Sequence, residues 1–169
     1  MSDTYEPDDL VYVDKTRRMR KEAAEQYKKL QKDANDAGLP IVPRSGYRSY
    51  KTQVSTYAHW VNVNGKASAD ISSARAGHSE HQTGLVMDVI NRAYKEATGK
   101  NVTPTEEKWL RENSYKYGFI VRYPKGKTKI TGYIHEPWHL RYLGIELATK
   151  VYESNLTYDE YYDLYIKEY

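Results

Sequence analysis

Two short stretches of the chain carry side chains that could bind a metal ion and catalyse hydrolysis. The first contains His81 and Asp88, and the second contains Glu136 and His139. Two imidazoles and a carboxylate can hold a catalytic zinc ion that keeps one position open for water, and a further carboxylate can act as general base. Cysteine is absent, so no thiolate can take part. The pattern predicts one Zn2+ bound by His81, Asp88 and His139, with Glu136 as base.

The spacing between His81 and Asp88 argues against a continuous helix. Residues seven apart on a helix are separated by about 10 Å along its axis, whereas two ligands of one zinc ion lie within ~4 Å of each other. Gly84 offers a bend, and the apolar run from Leu85 to Ile90 is typical of a buried strand. We therefore expect His81 on a loop that enters a strand carrying Asp88.

The second stretch also fits the H-E-x-x-H pattern of helical zinc proteases, with His135 and His139 as the two histidines. That pattern requires an unbroken helix, and Pro137 would interrupt one. We therefore favour Glu136 as base and His139 as the third ligand at the end of a strand over residues 133–135, with His135 directed elsewhere.

Three motifs in order resemble one protein family. They are SGYRS at 45–49, SEHQTGLVMD at 79–88 and EPWH at 136–139. Together they resemble the VanY-type D-alanyl-D-alanine carboxypeptidases, zinc peptidases related to D-Ala-D-Ala dipeptidases and to the hedgehog amino-terminal domain. The resemblance extends from about residue 39 to 144. It departs at Ala76, where proline is expected before Gly77, a position that is no ligand.

The resemblance implies roles for further residues. Arg48, Gln53 and Ser79 match positions that meet the carboxy-terminal D-residue of a peptidoglycan stem peptide, and all three can donate hydrogen bonds to a carboxylate. Arg48 could instead polarise the scissile carbonyl, as a catalytic residue, or form a salt bridge that fixes its turn. Trp138 could wall the substrate pocket or simply belong to the core.

Composition sets the broad class of the protein. The 169 residues suit a single zinc peptidase domain over 14–169, preceded by a lead-in segment over 1–13. A net charge of +3 argues against nucleic-acid binding, and no apolar run is long enough to span a membrane. The resemblance implies an extracytoplasmic protein at the bacterial cell surface or wall, with its export signal or anchor missing from this sequence. We expect a monomer.

Periodicity and turn residues predict an α+β fold, a small mostly antiparallel sheet flanked by helices. Predicted helices cover residues 14–37 and 50–64, follow a capping box at Thr103, and end the chain after a second capping box at Thr157. The helix over 50–64 is expected to bury Val54, Tyr57, Ala58 and Val61. Residues 66–78 are expected to form a long loop beside the site, and residues 119–123 a strand.

These features predict a zinc-dependent carboxypeptidase that removes the C-terminal D-alanine from peptidoglycan stem peptides, with D,D or L,D specificity left open. An endopeptidase on the same scaffold is one alternative. A non-catalytic wall-binding module that retains zinc is another, although a retained Glu136 speaks against it.

Overall fold

The computed structural model describes residues 1–167 and confirms the α+β class. The strands are β1 (Leu10–Tyr12), β2 (Arg18–Arg20), β3 (Val42–Ser45), β4 (Val86–Ile90), β5 (Phe119–Tyr123) and β6 (Glu136–Tyr142). The helices are α1 (Lys21–Asp36), α2 (Tyr50–Asn64), α3 (Lys66–Ser72), α4 (Arg92–Thr98), α5 (Pro104–Asn113), α6 (Thr128–Thr131), α7 (Ile145–Ser154) and α8 (Tyr158–Tyr165). Short 3-10 turns cover Glu80–Thr83 and Ser114–Tyr117. No helix among these residues is long and apolar enough to cross a membrane.

The central sheet has four antiparallel strands in the order β3-β4-β6-β5. One face of the sheet packs in the hydrophobic core, and the other face carries the predicted site residues. Met87 and Val89 of β4 and Leu140 of β6 join the hydrophobic core together with buried residues of α1. Because side chains alternate along a strand, Asp88 and His139 face the other side of the sheet. The core packing on one face thus determines which residues are presented on the opposite face.

The beginning of α1 differs from the prediction that a helix starts at residue 14. Residues 10–12 pair with residues 18–20 as a two-stranded hairpin, and the helix begins at Lys21. The Asp14 carboxylate accepts hydrogen bonds from the backbone N–H groups of Thr16 and Arg17, a local turn that competes with helix. The boundary between a lead-in segment and a domain at residue 13 stays a prediction.

Several elements follow their local signals closely. Helix α2 has the expected bounds, and the Ser49 side chain caps it by accepting from Thr52 N–H. Helices α5 and α8 both begin with complete capping boxes, at Thr103 and Thr157. Strands β4 and β5 also agree with the sequence pattern.

Three predictions of local structure are wrong. The predicted loop over 66–78 begins with α3, and the predicted strand over 133–135 starts only at Glu136, so His139 lies within β6 and not after a strand. The predicted inward face of α2 is also wrong: Val54 is half exposed, and Gln53 is the buried residue of that helix. The reason is that α2 packs mainly on α3 and flanks a groove, so its inward face is polar.

Candidate active site

His81 lies in the 3-10 turn that leads into β4. Gly84 ends this turn with a φ of 70°, in the left-handed region that favours glycine. A Cβ atom at Gly84 would lie 2.8 Å from Leu10 Cδ2 and 3.0 Å from Arg20 Cγ. The turn therefore needs glycine for both its backbone angles and its close packing, and it places the buried His81 ring at the start of the strand that carries Asp88.

The structure brings the three predicted ligands together. Asp88 is the direct cross-strand partner of His139, and its Oδ1 lies 3.1 Å from His139 Nδ1. Its other oxygen, Oδ2, lies 3.3 Å from His81 Nε2. The potential ligand atoms of all three residues lie within 4.8 Å of one another, and all three side chains are largely shielded from solvent.

The polar atoms of this group fit a divalent cation. His81 Nδ1 is 2.8 Å from the Gly46 carbonyl oxygen, which sets Nδ1 as the donor and leaves Nε2 as a free lone pair facing Asp88. Asp88 Oδ1 is buried, and although it lies 3.1 Å from His139 Nδ1, the angles of that contact do not make a hydrogen bond, so Oδ1 has no hydrogen-bond partner among residues 1–167. A buried carboxylate oxygen without a partner is costly, and a metal ion at this point would satisfy it.

Charge is concentrated around His139. Burial alone would lower the pKa of His139, but the carboxylates of Asp88 and Glu80 raise it to about 9. Burial lowers the pKa of His81, with Asp88 opposing that effect. A metal ligand must be a neutral imidazole, so a cation that binds here would release the proton from His139.

Glu136 lies next to this group because the sheet is irregular. In a regular strand Glu136 would share the face of Leu140. The register shifts here, however, because Val121 pairs with Leu140 and Tyr123 pairs with Glu136, so two residue steps along β5 correspond to four steps along β6. Such irregularities redirect side chains near active sites. Glu136 Oε2 consequently lies 3.7 Å from His139 Nδ1, and burial raises the pKa of Glu136 to about 7.

Arg48 is held over the site by neutral groups. Its guanidinium donates to Gln53 Oε1 and to Ser45 Oγ, each at 2.8 Å, and its backbone N–H donates to the His81 carbonyl at 3.1 Å. Within residues 1–167 no carboxylate lies within 4.0 Å of this guanidinium, in contrast to the salt bridge considered from sequence. The carboxylates of Asp88 and Glu136 act on its charge only from beyond 4.0 Å, so the guanidinium forms no ion pair within this part of the chain.

Gln53 and Ser79 occupy different positions around Arg48. The Gln53 amide nitrogen donates to the Ala74 carbonyl at 2.5 Å and lies 3.4 Å from Ser73 Oγ, so the geometry favours Gln53 as a residue that holds Arg48. Ser79 is buried beside the groove. Direct contact of Gln53 or Ser79 with a substrate stays a prediction.

The site opens into a groove of about 760 Å3, a size that suits a peptide. Trp138 lines the groove and also packs against the core, so both of its predicted roles are compatible with its position. His135 lies apart from the His81–Asp88–His139 group, with its Nε2 3.1 Å from Glu107 Oε1. Residues 136–142 form a strand, so the helical H-E-x-x-H arrangement does not occur.

Glu80 is a site residue that the sequence analysis missed. Its Oε2 lies 3.4 Å from His139 Nε2, and its Oε1 accepts from Arg122 Nε at 2.9 Å and lies 3.1 Å from Arg141 Nη1. An acceptor at Nε2 fixes the His139 ring and leaves Nδ1 to face Asp88. The two arginines are remote in sequence, so no local signal pointed to Glu80.

Comparisons with known proteins identify relatives across most of the chain. The VanY family model, described as D-alanyl-D-alanine carboxypeptidase, matches residues 16–145. A D-alanyl-D-alanine carboxypeptidase of Enterococcus faecalis (strain ATCC 700802 / V583) is 45% identical over 135 residues, which cover 75% of this chain and 48% of that protein. The chain spans between 45% and 64% of the lengths of the curated relatives it matches.

Solved structures with this fold include two peptidases of different specificity. The LdcB LD-carboxypeptidase is 40% identical with a TM-score of 0.82, covering 96% of this chain and 80% of that chain. A mutant of the vancomycin resistance D,D-pentapeptidase VanY, from a VanB-type resistance cassette and in complex with Zn(II), is 36% identical with a TM-score of 0.80. That match covers 94% of this chain and 90% of the other.

The contact between Glu80 and His139 generates a prediction about metal affinity. Replacing Glu80 with glutamine removes the negative charge that orients His139, and loss of such a contact typically weakens metal binding by about 10- to 100-fold. We expect Glu80→Gln to lower zinc affinity at least ~10-fold in a chelator competition assay.

The matched control is Asp159→Asn. Asp159 also pairs with Arg122, with its Oδ1 2.9 Å from Arg122 Nη2, but has no contact with His139. Its substitution should leave zinc affinity unchanged. Equal affinities of the Glu80→Gln and Asp159→Asn proteins would show that Glu80 supports Arg122 and not the metal site.

Proposed function

Because the chain belongs to the VanY family of D-alanyl-D-alanine carboxypeptidases, we propose that it is a zinc-dependent carboxypeptidase that removes the C-terminal D-alanine from peptidoglycan stem peptides. The observation that carries the proposal is the buried group of His81, Asp88 and His139, in which a carboxylate oxygen lacks a hydrogen-bond partner. Its relatives include both an LD-carboxypeptidase and a D,D-pentapeptidase, and both specificities remain compatible with the groove.

The proposed site holds one Zn2+ ion through His81 Nε2, the Asp88 carboxylate and His139 Nδ1. A hydrogen bond or polar contact at the far ring nitrogen of each histidine, to Gly46 and to Glu80, orients the lone pair that faces the site. When bound, zinc supplies Lewis acidity that lowers the pKa of a water molecule to ~7 and polarises a carbonyl group.

Glu136 is the proposed general base and acid. Its carboxylate is buried beside His139 without being part of the three-residue group, so it can stand within reach of a metal-bound water without coordinating the metal itself. In this scheme Glu136 takes the proton from the attacking water and gives it to the nitrogen of the departing D-alanine.

Arg48 is the proposed group that recognises the end of the substrate. A guanidinium can bind a carboxylate through two parallel hydrogen bonds, and the hydrogen-bond partners of Arg48 in the groove, Gln53 and Ser45, are both neutral. Ser79 would donate to the same carboxylate, Gln53 would hold Arg48 or share the contact, and Trp138 would wall the pocket. If Arg48 instead faces the scissile carbonyl, it stabilises negative charge that develops there.

The proposed cellular location follows from the proposed substrate. An enzyme that trims stem peptides works where peptidoglycan is exposed, so we place the protein outside the cytoplasm, at the bacterial cell surface or wall. We propose that it acts as a monomer, because the predicted site is assembled from residues of a single chain.

The first prediction concerns Glu136. Glu136→Gln keeps the shape of the side chain but cannot take a proton, so turnover should fall at least ~100-fold while zinc content and substrate binding are retained. Glu107→Gln is the control, since Glu107 lines the same groove but pairs with His135. A metal-replete Glu136→Gln protein with undiminished kcat would assign the proton transfer to another group, and loss of zinc with activity would make Glu136 a ligand.

The second prediction concerns the direction of cleavage. Amidating the C-terminus of the stem peptide removes the charge that Arg48 would bind, which should lower kcat/KM by about 10- to 150-fold, the equivalent of a charge-assisted hydrogen bond. Arg48→Ala should narrow the gap between the free acid and the amide, mainly by slowing cleavage of the free acid. Equal cleavage of both peptides by the unmodified protein would favour an endopeptidase.

A further inference from the structure

One arm of the active-site groove is lined by cations that have no carboxylate partner. Arg44, Lys95 and Lys100 line this arm, and none of them lies within 4.0 Å of a carboxylate among residues 1–167. Most other arginines of the described chain are paired, for example Arg17 with Asp14 and Arg20 with Asp9. The groove contains one other guanidinium without a carboxylate within 4.0 Å, that of Arg48. Arg48 is already proposed to bind the terminal carboxylate of the substrate.

Two of these three cations, Arg44 and Lys95, are positioned by neutral oxygen atoms. Arg44 Nη1 donates to Asn101 Oδ1 at 2.5 Å, and Asn101 is buried. Lys95 Nζ donates to the Gly99 carbonyl at 2.5 Å. These acceptors orient the side chains without neutralising them, which is the same arrangement that Gln53 and Ser45 provide for Arg48.

The backbone directs Arg44 into this position. Pro43 pairs with Val89 and Ser45 pairs with Asp88, so Arg44 is an extra residue in β3 opposite two consecutive residues of β4. A bulge of this kind turns a side chain out of the regular alternation. Arg44 therefore precedes Ser45, the strand partner of Asp88, and lies at the margin of the proposed metal site.

The cations also repel one another. Burial lowers the pKa of Lys95, and the charge of Arg44 lowers it further. Arg44 acts in the same direction on Arg48. Asp88 and Glu136 offset part of this repulsion at Arg48. At Arg44 and Lys95, however, no carboxylate among residues 1–167 lies within 4.0 Å, and Glu107 on the same groove pairs with His135. An anionic ligand would relieve the repulsion there.

We propose that Arg44, Lys95 and Lys100 bind a second carboxylate of the substrate, on the stem peptide upstream of the cleaved bond. This inference rests on the proposed function, because in a carboxypeptidase the terminal carboxylate lies with Arg48 and any further carboxylate must belong to an upstream residue. Two sources carry that chemistry: the α-carboxylate of a γ-linked glutamate, and the side-chain carboxylate of a diaminopimelate residue. The groove thus selects stem peptides that are acidic at an internal position.

The test compares four stem peptides with free C-termini. They combine γ-linked glutamate or its α-carboxamide with diaminopimelate or lysine at the following position. Within the pair of peptides that differ in the recognised carboxylate, the unmodified protein should cleave the acidic peptide with a kcat/KM about 3- to 10-fold higher than its neutral counterpart. This is the range for a partly exposed charge contact. This preference should shrink as ionic strength rises. The pair that shows it identifies the source of the carboxylate.

Substitution of the cationic residues tests whether they cause the preference for acidic peptides. Arg44→Gln and Lys95→Gln should each reduce the preference while cleaving the non-acidic peptide at the unmodified rate, which also demonstrates correct folding. Arg92→Gln is the control, because Arg92 lies on the same helix as Lys95 but does not line the groove. It should keep the full preference despite the same loss of charge.

Three results would overturn the inference. One is an equal kcat/KM within both peptide pairs, and another is a preference that survives in Arg44→Gln. The third is an equal loss in Arg44→Gln for all four peptides, which would place Arg44 with Arg48 at the terminal carboxylate. Calorimetry with the Glu136→Gln protein gives the dissociation constants of the four peptides and so tests the preference for a second carboxylate without cleavage. If the unmodified protein cleaves none of the peptides, that result refutes the proposed activity, and the dissociation constants still test the carboxylate site.

Discussion

The cross-strand pairing of Asp88 with His139 is the constraint on which the site depends. Antiparallel partners place their side chains on the same face about 5 Å apart, close enough to share an ion. A slip of one residue in either strand would turn the site residue of that strand towards the core. The register is fixed from the other face, where Met87, Val89 and Leu140 pack with α1. The hydrophobic core therefore determines the geometry of the polar site.

The site is also organised by charge. Asp88, Glu80 and Glu136 bring three carboxylates to two imidazoles, and of these three carboxylates only Glu80 forms ion pairs with arginines, Arg122 and Arg141. A cation between His81, Asp88 and His139 would offset the remaining negative charge. Farther along the groove the charge becomes positive at Arg48 and Arg44, whose guanidinium groups donate hydrogen bonds to neutral acceptors. The groove therefore has a centre suited to a metal ion and flanks suited to carboxylates.

Much of this arrangement could be predicted from sequence, because the relevant signals are local. Gly84 and the apolar run after it indicated the turn and strand around Asp88, and Pro137 argued against a helix at His139. Capping boxes located α5 and α8. Signals of this kind act over a few residues and survive in the fold.

The parts that could not be predicted depend on distant contacts. Glu80 gains its role from Arg122 and Arg141, and nothing near residue 80 marks those partners. The position of Glu136 depends on a register irregularity between two strands, and that of Arg44 on another. The inward face of α2 was misassigned because hydrophobicity suggested a core contact, whereas the helix buries Gln53 towards Arg48.

The proposed metal site can be located by anomalous diffraction at the zinc absorption edge from crystals of the zinc-loaded protein. We expect a single peak, with His81 Nε2, an Asp88 oxygen and His139 Nδ1 each about 2.0–2.2 Å from it. Glu136 should lie near this peak without coordinating it. The proposed site would be wrong if the peak were coordinated by His135, if a second peak of equal height appeared in the groove, or if no peak lay between these three residues at full zinc loading.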